Sequence, residues 1–200
     1  MPGRWARIYQ PWWARRALTE GEGRGIPRSL RNRYEAAPRR LDGVFELHHL
    51  TALEQRQWLH EGRLEPRDLV EHYLTRIDKL NDVVGAFTVV EAQRAREAAQ
   101  RIAHEVPRTA PLWGLPIADK ELVPRAGQRT TFGSRLFAEH VPEQSDELVR
   151  HLDDAGAISL GATAAPEFGL PSYTESLVAP PARTPFALDR GAGGSSGGAA

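Results

Sequence analysis

From about residue 66 to residue 160 the sequence alternates between helical hydrophobic spacing and short β-branched runs, and this restricts the fold more than any other feature. Leu69, Val70, Tyr73, Leu74, Ile77 and Leu80 recur at helical spacing and make one apolar face. Glu65-Pro66-Arg67-Asp68 opens that helix, since a first turn does not need the N–H that proline lacks. Asn81-Asp82 reads as its end, and Leu50 to His60 as a shorter helix before it. Ala86-Phe87-Thr88-Val89-Val90 reads as a buried strand and Glu91 to His104 as an Ala/Arg/Glu helix. Gly114 to Lys120 reads as a loop entering a strand, Asp146 to Asp154 as a helix, and Ala157-Ile158-Ser159-Leu160 as a further strand. The expected class is therefore α/β.

Residues 1–45 show no such period, and the expected organisation is a basic, mostly unstructured extension followed by a folded region over residues 46–200. Residues 1–40 carry ten arginines against Glu20, Glu22 and Glu35, and in a formally neutral chain the remainder holds the compensating negative charge. A basic arm can bind nucleic acid. Lys79 and Lys120 are the only lysines, so arginine is this protein's default cation, and a nucleic-acid partner is not expected. Arg15-Arg16 is followed by no apolar stretch, which argues against a twin-arginine export signal. Apolar runs such as Ala155 to Ala165 are too short to span a bilayer, and the expected location is cytoplasmic, with no membrane partner. The chain has no cysteine, which removes disulfides, thiolate zinc sites and cysteine nucleophiles together.

Two features carry chemistry. The first is Gly191-Ala192-Gly193-Gly194-Ser195-Ser196-Gly197-Gly198, whose glycines let the backbone approach another group closely and aim N–H donors at it. It lacks the dinucleotide spacing and the Gly-Lys-Ser/Thr ending of a phosphate loop. It matches a nucleophile elbow centred on Ser195 or Ser196, yet that reading needs an Asp and a His after it. A flexible linker has the same composition. The second is Lys120, set between Leu115-Pro116-Ile117-Ala118 and Leu122-Val123. A lysine stem can simply cover apolar surface. A lysine, unlike an arginine, can also be held uncharged by desolvation and serve as a base.

Taken together with their neighbours, these residues resemble the amidase-signature family from about Leu50 to Ala200. The likeness is carried in order by Leu80-Asn81, Ala86-Phe87, Gly114-Leu115-Pro116-Ile117-Ala118-Asp119-Lys120, Thr130-Thr131-Phe132-Gly133-Ser134 and Ala155-Gly156-Ala157-Ile158. Gly161-Ala162-Thr163, Pro166-Glu167-Phe168 and Gly193-Gly194-Ser195-Ser196-Gly197-Gly198 complete it. The resemblance implies the N-terminal part of a mixed sheet flanked by helices. It also implies a Ser–cis-Ser–Lys triad with Lys120 as general base and Ser195, in a cis peptide, as proton relay. Gly193, Gly194, Ser196 and Gly197 would form the substrate and oxyanion side of the turn. The nucleophile would be a serine in a later Gly-rich turn, beyond Ala200, so the expectation is an N-terminal fragment that is inactive alone, with a naturally shortened pseudo-enzyme as the alternative.

The implied reaction is hydrolysis of a carboxamide C–N bond through an acyl-enzyme, acting on a small-molecule amide, without cofactor or metal, and with a homodimer of the longer protein left open. His48, His49, His60, His72, His104, His140 and His151 need no catalytic or metal role in it. Alternatives are a non-catalytic remnant that binds a partner, and the amidase component of a tRNA-dependent amidotransferase. The basic arm and Gly161-Ala162-Thr163-Ala164, in place of the commoner Gly-Lys-Thr-Asn, weigh against the amidotransferase. Asp119 and Glu121 flank the lysine where the family has an apolar residue and Asp; on a strand both would face away from it.

Overall fold

The computed structural model describes residues 46–200; the expected basic extension lies outside them. A 3-10 turn over Leu47–His49 leads into helix α1, Ala52–His60. Thr51 starts α1 with a reciprocal cap: its hydroxyl accepts from Glu54 N, and the Glu54 carboxylate accepts from Thr51 N at 2.7 Å. Each bond satisfies a donor that the first helical turn leaves free.

Helix α2 runs over Pro66–Val84 and does not stop at Asn81-Asp82. The end comes at Gly85, whose left-handed backbone caps α2, where an added Cβ would stand 2.6 Å from Pro181 O. Asn81 instead turns its side chain to the strand that follows: Oδ1 accepts from Phe87 N at 2.7 Å and Nδ2 donates to Phe87 O at 3.0 Å. The residue that reads as a breaker is a bracket between helix and sheet.

Strand β1 (Phe87–Val90), helix α3 (Ala92–Glu105), strand β2 (Pro116–Lys120), helix α4 (Glu147–Asp154) and strand β3 (Ile158–Thr163) follow. Their sheet has the order β1-β3-β2, with β1 antiparallel and β2 parallel to the central β3. It is a mixed sheet with helices packed on it, as expected. Val70 and Leu74 of α2 and Ala95 and Ala99 of α3 bury against Ile158 and Leu160 of β3. Each large aliphatic side chain so buried contributes about 1.5–3 kcal/mol, and the alanines let α3 lie close to the strands. A second cluster joins Leu59, Leu64, Leu69, Ile102, Trp113 and Leu115, fixing α1 to the layer.

A two-stranded antiparallel hairpin, β4 (Arg183–Thr184) with β5 (Ala187–Gly191), is not legible in the sequence. Both strands are short and polar, with no period-two pattern to mark them. Among the described residues no helix is long and apolar enough to cross a membrane.

Candidate active site

Lys120 is the last residue of β2, level with Thr163 at the end of β3. Thr163 grips the backbone on both sides of it: its hydroxyl donates to Asp119 O at 3.1 Å, and its carbonyl accepts from Glu121 N at 3.1 Å. The neighbouring carboxylates turn elsewhere. Asp119, 5% exposed, accepts from Arg125 Nε at 2.6 Å and from Ser159 Oγ at 2.7 Å. Arg125 Nη1 also reaches both oxygens of Asp153, at 2.9 and 2.8 Å. Burial pulls the pKa of Arg125 down, but hydrogen bonds and charge from Asp119 and Asp153 outweigh it, and the net shift is upward. Glu121 is buried and accepts from Thr131 Oγ1, whose oxygen also accepts from Gly133 N at 3.1 Å. Among the described residues no carboxylate pairs with the Lys120 amine.

The Gly/Ser run is not a linker. It forms a turn between β5 and a 3-10 turn over Gly197–Ala199, and its Gly194–Ser195 peptide is cis. Gly198 N donates to Ala164 O at 3.1 Å, so the turn hangs from the residue just past β3. A Cβ on Gly198 would collide with Ala164 N and Ala86 O, which is why no larger residue fits there. Through these contacts Lys120 Nζ and Ser195 Oγ, 75 residues apart in the chain, lie 2.7 Å from one another.

Thr174 holds the turn closed. This residue, 2% exposed, donates from Oγ1 to Gly193 O at 2.5 Å and accepts from Gly197 N at 3.1 Å, bridging the two sides of Ser195. Gly197 N is thus committed, whereas the N–H groups of Gly194, Ser195 and Ser196 donate to no described residue. No pattern marks Thr174 in the sequence, where it lies in a Pro-rich loop without period. Thr174→Val is expected to cost about 1–3 kcal/mol by leaving Gly193 O and Gly197 N unpaired, and Thr174→Ser to restore most of it. Equal urea midpoints for the valine and serine variants would remove Thr174 from this role.

Residues 68–200 match the profile of the family described as Amidase. This chain belongs to the amidase-signature family. Among amidase-signature relatives, it is 40% identical over 157 residues to a subunit of the glutamyl-tRNA(Gln) amidotransferase of Desulforapulum autotrophicum. That match covers 78% of this chain and 32% of the relative. It is 43% identical over 154 residues to the AmiB2 protein of Mycobacterium bovis, covering 74% of this chain and 32% of that one. A bacterial aryl acylamidase of known structure, also of the amidase-signature family, aligns with TM-score 0.68 and 28% identity over 75% of this chain and 32% of the other. The chain thus spans about a third of the length of the amidase-signature proteins it matches.

Proposed function

We propose that this chain supplies the base and the relay of a serine amidase that hydrolyses a carboxamide C–N bond through an acyl-enzyme. The single observation that carries the reading is the 2.7 Å contact between Lys120 Nζ and Ser195 Oγ. A hydroxyl can donate and accept at once, so Ser195 can pass its proton to an uncharged Lys120 amine while taking one from an attacking serine. The attacking oxygen then bonds to the amide carbon and the carbonyl electron pair moves to its oxygen. Collapse of this adduct expels the amine, which receives the proton back through Ser195, and water cleaves the resulting ester.

The attacking serine is assigned to a part of the protein outside these 200 residues, and the chain alone is expected to be inactive. The N–H groups at Gly194, Ser195 and Ser196 would face the substrate side of the turn. The acyl-enzyme is tested with a protein extended to the relatives' length. Amides that share one acyl group but differ in leaving amine are turned over in the presence of hydroxylamine. A common acyl-enzyme gives one hydroxamate-to-acid ratio for all of them; a ratio that follows the leaving amine contradicts it.

A second reading is favoured by the 40% identity to a component of a glutamyl-tRNA(Gln) amidotransferase. In that case the released ammonia would be passed to a partner, and hydrolysis would be stimulated by the partner proteins rather than complete without them.

A further inference from the structure

On a different part of the surface, the 3-10 turn before α1 brings His48 against His72 of α2. His48 Nδ1 and His72 Nε2 lie 3.1 Å apart, with their rings stacked at 5.2 Å between centroids. The Glu46 carboxylate stands 3.9 Å from His72 Nδ1, the ring nitrogen that does not face His48. One ligand atom from each of Glu46, His48 and His72 lies within 4.8 Å of the other two. We propose that these three residues bind a divalent first-row transition ion, with Zn²⁺ as its chemical type.

Spacing and donor chemistry support the assignment. Two nitrogens each bound at about 2.0–2.1 Å to a tetrahedral zinc ion are about 3.3 Å apart, so the imidazole pair has the separation of two adjacent ligands and needs only a turn of each ring to aim both nitrogens at one ion. An ion replaces the one proton that the facing nitrogens share. His72 is fixed on a helix and only 15% exposed, while the Glu46 side chain, 45% exposed, has room to swing in as the third ligand. The cluster lines an open depression of about 430 Å³, which gives an ion and its remaining water a path in. Arg76 and Lys79 line the same depression and oppose any cation. The imidazole donors disfavour Mg²⁺ and Ca²⁺ and favour ions whose bonds to nitrogen are strong enough to outweigh that repulsion.

The site is independent of the amidase reading and is tested on the untagged chain without an activity assay. Zn²⁺ is titrated calorimetrically into chelator-treated protein, and Co²⁺ is followed by its visible absorption. One saturable equivalent is expected. His48→Ala and His72→Ala should each weaken binding by at least the about 10- to 100-fold seen when supporting contacts of a metal site are lost, and Glu46→Gln should weaken it measurably, while His151→Ala leaves it unchanged. Should the histidine variants fold poorly, Zn²⁺ protection of wild-type His48 and His72 from diethyl pyrocarbonate, mapped by mass spectrometry, gives the same answer. Absence of a saturable equivalent, or unprotected His48 and His72 at saturation, overturns the proposal.

Discussion

Lys120→Ala in the extended protein is expected to lower acyl transfer by about 10²- to 10⁴-fold, the share that a positioned proton acceptor carries. The informative companion is Lys120→Arg, because arginine keeps the positive charge and the reach but does not give up its proton in a protein. If Lys120 removes a proton through Ser195, both variants fail alike. If it only supplies positive charge, arginine retains most of the rate, and the proposed base role is lost. Ser195→Ala should match Lys120→Ala, and the double variant should be little worse than either, since groups acting as one unit are not additive.

The second large effect is on stability. Arg125→Ala is expected to destabilise the fold by about 3–5 kcal/mol, because the buried Asp119 charge loses its cation and keeps only Ser159. Against a typical total of about 5–15 kcal/mol, that is a large fraction. Arg125→Met combined with Asp119→Asn should recover much of it by removing both charges. A urea midpoint for Arg125→Ala indistinguishable from wild type would show that the triad of Asp119, Arg125 and Asp153 carries no such weight. Because Asp119 precedes Lys120 on β2, the same variant should also loosen the lysine's approach to Ser195.

Where hydrophobic period is strong, the sequence is legible. Leu69, Val70 and Leu74 lie on the predicted buried face of α2 at 0%, 0% and 6% exposure. Leu80, assigned to that face, is 44% exposed and lines an open depression beside His72. Asn81 misleads for a physical reason: its amide satisfies a neighbouring strand, a use of asparagine that local propensity does not distinguish from a helix stop. Lys120 and Ser195 stand out through motif order, but nothing local to either residue shows that they meet. Thr174 and Arg125 do not stand out at all. Their roles depend on partners distant in sequence or across a bend, and neither period nor composition encodes such pairings.

The end of β3 carries both halves of the lysine–serine contact, and this bears on how the protein is made. Thr163 and Ala164 are translated before Ser195, so the nascent chain can pair β1, β2 and β3 around Lys120 while Ser195 is still inside the ribosome. Vectorial synthesis therefore presents the strand that receives the Gly/Ser turn before the turn that docks on it.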